Sequence, residues 1–423
     1  MHSRKYARRM RKLKVNTSED PVSLDVILAL WLRTPGEPWL PRLNTFECEE
    51  ATEAFVSFIP LLLSPKTTDI SIGFTKRTPT VVAASTIARL STLCPDLEFV
   101  TLDSLPRDPI ITKAASEMLL ACNPDTLQAF RVDSPLTEEA REVVYRLPKL
   151  SRLWAVIRGS TSLPAVALPN LTMIDVEYDD LDWLQGFRGT SLEKLDSVTF
   201  YSESEKIGDP LGAFESVALA GSAQNTLSEF RFDTSGSWDP NYSSLLSFHQ
   251  LKIVVILFSC GGGCSSRVDD DIIASMARAM PKLEILLLGY PPCGTPTGIT
   301  ANGLIGLARL CPRLSELRIH FQAATLVEAA TSATLRSPPD SESVVLREDC
   351  ALTDLEVGRI PIPAGSGPAI ASILLQIFPR IINVKYHTYV DQGWGTVAET
   401  IDDFRRVGTF VHPTGETHPH ISL

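Results

Sequence analysis

One spacing of large apolar residues recurs along this chain and constrains its fold more than any other feature. In the segment 281–289, Leu283, Leu286 and Leu288 stand at positions i, i+3 and i+5. Recurrence of this triplet predicts a repeat protein, because each copy supplies a short strand whose apolar face must be buried by stacking. The other copies are Met10/Leu13/Val15, Leu43/Phe46/Cys48, Thr67/Ile70/Ile72, Leu97/Val100/Leu102, Leu127/Phe130/Val132, Leu150/Leu153/Ala155, Leu171/Ile174/Val176, Leu227/Phe230/Phe232, Leu251/Val254/Ile256, Leu314/Leu317/Ile319, Leu352/Leu355/Val357 and Ile381/Val384/Tyr386. One more copy, Leu192/Leu195/Val198, fits only with an extra residue, which we interpret as a β-bulge.

Successive copies begin 21 to 38 residues apart. This range includes the length of about 20 to 29 residues that is usual for leucine-rich repeats. The predicted fold is therefore an α/β leucine-rich-repeat solenoid, a horseshoe with a parallel sheet on its concave face and helices or short turns on its convex face. We expect about 14 irregular repeats in a single domain at 1–410, a mobile insertion at 331–349 and a disordered tail at 411–423.

The segments between the strands predict what fills the convex face. Apolar residues share one helical face in 22–30, 268–280 and 304–310. Thr137, followed by two glutamates, is expected to cap another helix. The units between 150 and 192 are only 21 residues long and leave room for no more than extended structure or a short turn.

Charge is distributed unevenly and limits the classes of partner. The chain of 423 residues has a net charge of -11, yet residues 1–15 contain seven Lys and Arg and no acidic residue. The remaining chain is strongly acidic, so no nucleic-acid partner is expected. The basic run could be a localisation signal or nucleic-acid patch, but its triplet Met10/Leu13/Val15 favours a basic edge strand. No apolar run is long enough for a membrane helix. We expect a cytoplasmic or nuclear protein without membrane contact.

Motifs typical of catalysis are absent from the sequence. It contains no G-x-S-x-G, P-loop or H-E-x-x-H motif. Cys260 and Cys264 flank three glycines, but a metal site needs further ligands, so a flexible loop at 260–266 is favoured. The carboxylates at 269–271 are interpreted as the start of a helix. We therefore predict no enzyme, catalytic residue, cofactor or metal site.

Several segments carry a resemblance to a known family. They are Y-A-R-R-M-R-K-L-K-V at 6–15, L-P-R-L-N-T-F at 40–46, the recurrent L-C-P-x-L and F-P-R-I-I-N-V-K-Y at 378–386. With these, nearly the whole chain resembles the fungal F-box proteins with C-terminal leucine-rich repeats. The resemblance implies the substrate-recognition part of an F-box ubiquitin-ligase adaptor. We find no F-box in this chain, so Skp1 and a cullin are expected as partners only if an F-box exists upstream. The alternative is a stand-alone scaffold or inhibitor.

The residues between the pattern positions predict where a partner binds. Because side chains alternate along a strand, positions i+2, i+4 and i+6 should line the concave face. Most are charged or polar, but two adjacent strands present aliphatic side chains. An exposed aliphatic patch rimmed by charge usually marks an interaction site for a protein. The alternative is that the loops at 258–266 or 331–349 cover the patch. The predicted binding residues are Ile253, Val255, Leu257, Ile285, Leu287, Trp154, Arg231, Arg318 and His320.

Overall fold

A computed structural model describes most of the chain. The described residues are 9–16, 39–158, 168–187, 190–202, 209–220, 222–234, 241–258, 268–289, 298–331, 350–357, 360–386 and 393–407. Four predictions lie outside them, namely the helix at 22–30, the loop at 260–266, the tail at 411–423 and all but the first residue of the insertion at 331–349.

Fourteen strands occur within the described residues and follow one another in chain order. Every described pairing is parallel. The strands are β1 Lys12–Val15, β2 Thr45–Ala51, β3 Asp69–Phe74, β4 Phe99–Asp103, β5 Ala129–Pro135, β6 Arg152–Ile157, β7 Met173–Tyr178, β8 Ser197–Ser202, β9 Glu229–Thr234, β10 Ile253–Phe258, β11 Ile285–Leu288, β12 Glu316–Arg318, β13 Asp354–Glu356 and β14 Asn383–Lys385. Each predicted triplet corresponds to one strand, which confirms the α/β leucine-rich-repeat fold.

Helices and short turns connect the strands. The α-helices in the described part are α1 Glu53–Val56, α2 Ile59–Leu62, α3 Thr80–Leu93, α4 Pro109–Leu120, α5 Glu138–Val144, α6 Pro210–Ala220, α7 Asp270–Ala279, α8 Ala301–Leu310, α9 Ala323–Thr331, α10 Gly367–Ile377 and α11 Trp394–Val407. Among the described residues, 3-10 helices cover Asp182–Phe187, Ala223–Asn225 and Tyr242–Leu245.

The chain forms two compact units. The first contains Met1–Tyr201 and Ser216–Ala223, and the second contains Ser202–Glu215 and Gln224–Leu423. Strands β1 to β7 and most of β8 belong to the first unit, and β9 to β14 belong to the second.

The pattern residues form the core of both units. In β11 and the turn before it, Leu283 and Leu286 are fully buried and Leu288 is 5% exposed. Thr67, which replaces the leading leucine of its repeat, is also fully buried. Its hydroxyl donates a hydrogen bond to the carbonyl oxygen of Leu43 at 2.9 Å, so burial leaves no unsatisfied polar group. The first repeat differs, since Met10 is 36% exposed beside the edge strand.

The predicted bulge before β8 is wrong. Strand β8 begins at Ser197, which is the register partner of Met173 on β7, and the pairing continues without a shift. The repeat therefore starts at Leu195, and its triplet is Leu195/Val198/Phe200 at the regular offsets. All three are fully buried. Leu192 is also buried, but it belongs to the turn before the triplet. The sequence pattern therefore placed the start of this repeat three residues too early.

Aromatic side chains fill the core where the connection between strands is short. In the described part of the connection between β7 and β8, the one helical element is a 3-10 helix, Asp182–Phe187. From this helix, Trp183 packs edge-on against Phe187 and Phe200, with ring centroids 5.8 and 5.7 Å apart. Tyr178 also contacts Trp183. Large aromatic rings thus fill the core beside this short connection, for which the sequence predicted no more than extended structure or a short turn.

Helix starts agree with the predicted caps. The Thr137 hydroxyl accepts a hydrogen bond from the Ala140 amide, and the Asp269 carboxylate accepts one from Ile272. These caps satisfy amides that have no partner inside the helix. One helical prediction is wrong in detail, because Leu310, placed on the buried face of α8, is 37% exposed.

Candidate functional site

The strand residues between the pattern positions form a second face of the sheet, which we call the open face. In β3, Ile70, Ile72 and Phe74 are buried whereas the alternate residues are partly exposed, and β9 has the same alternation. The alternation follows from strand geometry, since neighbouring side chains point to opposite faces. The open face corresponds to the face on which the sequence predicted partner binding.

Aliphatic residues form a stripe on the open face of the second unit. We call Ile253, Val255 and Leu257 on β10 with Ile285 and Leu287 on β11 the aliphatic stripe. Parallel pairing places these residues side by side, and charged residues adjoin them on both neighbouring strands. Two rows of register partners cross β9 to β12: Glu229/Ile253/Ile285/Glu316 and Arg231/Val255/Leu287/Arg318.

Four of the five stripe side chains are partly exposed. They are Ile253, Leu257, Ile285 and Leu287. Val255 is only 5% exposed, and it lies in register between two longer side chains, those of Arg231 and Leu287. The accessible part of the stripe thus consists of four side chains, and Val255 is the buried member of the stripe.

The predicted arginines beside the stripe are engaged in ion pairs. On β9, Arg231 pairs with Glu229 of the same strand. On β12, the Arg318 guanidinium donates to Glu356 of β13 at 2.6 Å, and the side chains of this pair are only 19% and 17% exposed. The Arg318 Nε is buried without a hydrogen-bond partner in the described part of the chain. Both arginines are therefore held by their own sheet.

His320 and Asp354 also lie on the β12 side of the stripe. His320 follows β12 and is partly exposed. Asp354 of β13 accepts hydrogen bonds from the hydroxyl of Thr353 at 2.8 Å and from the side-chain amide of Asn383 at 3.0 Å. These bonds hold the pKa of Asp354 below its ordinary value. Lys385 of β14 lies 3.6 Å from the same carboxylate. Asp354 is thus kept ionised beside β12.

Trp154 lies on the open face of the first unit, and the other eight predicted residues lie in the second. The guanidinium of Arg131 sits 4.0 Å from the centroid of the Trp154 ring. Tyr201 lies 5.7 Å away between centroids. Arg131 also donates to Asp103 at 2.6 Å. Tyr201 was missed because the repeat frame was set at Leu192; the correct frame from Leu195 places Tyr201 at i+6.

An ion-pair cluster at the end of the strands in the first unit was also missed. Glu177 of β7 accepts a hydrogen bond from Arg107 at 2.9 Å and another from Arg158. Arg158 also pairs with Asp179. Both arginines follow their strands in loops and lie 70 and 19 residues from Glu177 in sequence. A repeat pattern defined on strands gives no signal for such loop contacts.

Two cavities formed by described residues have walls in which Asp271 is the one charged side chain. The larger has a volume of about 390 Å³ and lies between the proline-rich turn at 361–368 and the start of α11, with Gly393 and Thr396 in its wall. The other, of about 190 Å³, adjoins α7 and the 3-10 helix Tyr242–Leu245. Within the described residues, no cluster of three or more His, Cys, Asp or Glu side chains could hold a metal ion.

Burial explains the state of the cysteines. Cys48, Cys94, Cys122, Cys311 and Cys350 are buried free thiols. Burial raises the pKa of Cys94, Cys122 and Cys311 to about 12.

Among the described residues, no helix has the length and apolar character needed to cross a membrane.

Several solved structures are similar to this chain. The chain is similar to the crystal structure of an internalin from Listeria monocytogenes, with a TM-score of 0.46 and 14% sequence identity over 91% of this chain and 89% of the internalin. At this level the similarity carries no information about function. No protein-family model and no curated protein matches the chain. The fold assignment rests on the fourteen parallel strands and the buried pattern residues.

Proposed function

We propose that this protein is a non-catalytic binding module whose aliphatic stripe contacts a protein partner. The observation that carries the proposal is the partial exposure of Ile253, Leu257, Ile285 and Leu287 on two adjacent strands. Contiguous apolar surface rimmed by polar groups is typical of interaction sites, because its burial by a partner removes apolar area from water.

The ion pairs around the stripe suit it for recognition. Arg231 and Arg318 are each paired within the sheet, so their side chains are ordered before a partner arrives. Preordering lowers the conformational entropy lost on binding. A rim of ordered charges also excludes water from a central apolar contact, as in well-packed interfaces.

We further propose that the bound partner is a substrate of a ubiquitin ligase and that the chain acts as the recognition part of an F-box adaptor. Support comes from the sequence resemblance carried by the segments 6–15, 40–46 and 378–386. The alternative is a stand-alone scaffold or inhibitor that binds its partner through the same stripe. An in-frame F-box in upstream coding sequence, and co-purification of Skp1 and a cullin with the chain that contains it, support the adaptor. A chain that binds partners without Skp1 favours the scaffold.

The binding surface is tested by substitution and quantitative co-purification. Leu257→Asp with Leu287→Asp should remove the partner proteins without unfolding the chain. The matched control is Leu219→Asp with Leu310→Asp, because these leucines are 39% and 37% exposed on helices α6 and α8. Retention of the same partners by the stripe variant contradicts the proposal, and unfolding of that variant alone identifies the stripe as part of the core.

A further inference from the structure

We infer that the partner segment seated on the aliphatic stripe carries a lysine or arginine that pairs with Glu316; this inference rests on the function proposed above. The open-face positions of β9 to β14 carry more carboxylates than cations. The carboxylates are Glu229, Asp233, Glu316, Asp354 and Glu356, and the cations are Arg231, Arg318 and Lys385. A cationic segment therefore complements this face.

Glu316 is the carboxylate of this face that is available to a partner. Ion pairs engage Glu229 with Arg231, Glu356 with Arg318 and Asp354 with Lys385, and Asp233 also has an interaction partner. The Glu316 carboxylate, in contrast, makes neither an ion pair nor a hydrogen bond with any described residue, although its side chain is partly exposed on β12. A partner cation can therefore pair with Glu316 without breaking an existing contact.

The position of Glu316 makes a cation there favourable. Its register partners are Ile285 of the stripe on one side and Asp354 on the other. Neighbouring strands lie about 4.8 Å apart, so Glu316 and Asp354 are close like charges on one face. Hydrogen bonds from Thr353 and Asn383 lower the pKa of Asp354, so this carboxylate is ionised at neutral pH. A cation that docks at Glu316 therefore also lies near a second carboxylate, that of Asp354.

The same geometry sets the spacing within the partner. Glu316 lies one strand, about 4.8 Å, from the edge of the stripe. Side chains two residues apart on one face of an extended segment are about 6.6 Å apart, and residues i and i+4 on a helix are about 6 Å apart. One aliphatic anchor and one cation, adjacent on the same face of a segment, can therefore contact Leu287 or Ile285 and Glu316 together.

Selection from a random peptide library displayed on phage tests this inference with the full chain as bait. The wild type should enrich peptides that combine aliphatic residues with Lys or Arg at a fixed short spacing. Glu316→Lys should instead enrich Asp or Glu at that position. The control Glu399→Lys, an exposed carboxylate on α11, should select the wild-type motif. For the best wild-type peptide, Glu316→Gln should weaken binding about two- to fivefold at low salt, with less effect at high salt.

The outcomes separate this inference from the proposed function. Aliphatic peptides without a preferred cation, or an unchanged motif with Glu316→Lys, overturn the inference and leave the aliphatic binding site standing. Failure of the wild type to select any peptide, or selection of the same peptides by the variant with Leu257→Asp and Leu287→Asp, overturns the proposed function and the inference with it.

Discussion

The same substitution at two adjacent leucines of β11 should affect stability and partner binding in opposite orders. Leu286 is fully buried, whereas Leu287 is partly exposed on the open face. Leu→Ala removes three carbons. At a buried site it also leaves a cavity, and measured costs lie at about 3 to 5 kcal/mol. We expect Leu286→Ala to lower the free energy of unfolding by about that amount. Leu287→Ala should cost about 1 kcal/mol or less, because its side chain loses only part of its contact with water on folding.

Urea unfolding followed by far-ultraviolet circular dichroism measures this difference. The slope of the free energy with urea should be the same in both variants, so that the midpoints report stability. The partner-binding assay should show the reverse order, with Leu287→Ala impaired at a temperature where Leu286→Ala is still folded. Equal destabilisation by both substitutions would refute the assignment of Leu287 to the open face and of Leu286 to the core.

Three further predictions follow from close contacts and burial. Gly73→Ala should destabilise the first unit by more than about 1 kcal/mol, because a Cβ there would lie 2.2 Å from the Glu49 carbonyl oxygen. Gly306→Ala should instead stabilise the protein by about 0.5 to 1 kcal/mol, because this glycine lies within helix α8 and a Cβ there would meet no atom within 4 Å. Thermal unfolding distinguishes the two outcomes. Asp270→Ala should lower the free energy of unfolding in urea by about 1 to 3 kcal/mol, because the carboxylate accepts hydrogen bonds from the Thr300 amide and hydroxyl at 2.8 and 2.6 Å. An unchanged free energy of unfolding would contradict a stabilising role for these hydrogen bonds between neighbouring repeats. A thiol reagent at pH 8 should label at most three of the eight cysteines in the native protein and all eight in denaturant, since five are buried; rapid native labelling of more than three contradicts the core assignment.

The strand positions could be predicted from sequence because one physical requirement fixes them. Most repeats bury the same offsets, so the triplets located all fourteen strands in the described residues, including β3, whose triplet begins with Thr67. The misplaced frame at Leu192 has a physical cause as well. A buried leucine in the turn before Leu195 fits an apolar pattern equally well, and only the register with β7 decides between them.

The candidate site was less accessible to sequence. Alternation along β10 predicted the stripe, yet it could not predict that Val255 is buried, because burial depends on the size of the register partners Arg231 and Leu287. The ion pair of Arg318 also depends on a neighbouring strand, because Glu356 lies on β13, 38 residues away in sequence. The contact between Arg107 and Glu177 spans 70 residues and involves a loop, for which the repeat pattern contains no information.

Site-specific photo-crosslinking tests the central claim most directly. A benzophenone amino acid is placed at Leu287 on the stripe or at Leu310 on α8, and each protein is irradiated in extract from the cells that express it. Contact between the stripe and a protein partner predicts discrete adducts from position 287 that are absent from position 310 and disappear when Leu257→Asp is added. The same adducts from both positions, or adducts from 287 that persist with Leu257→Asp, would contradict it.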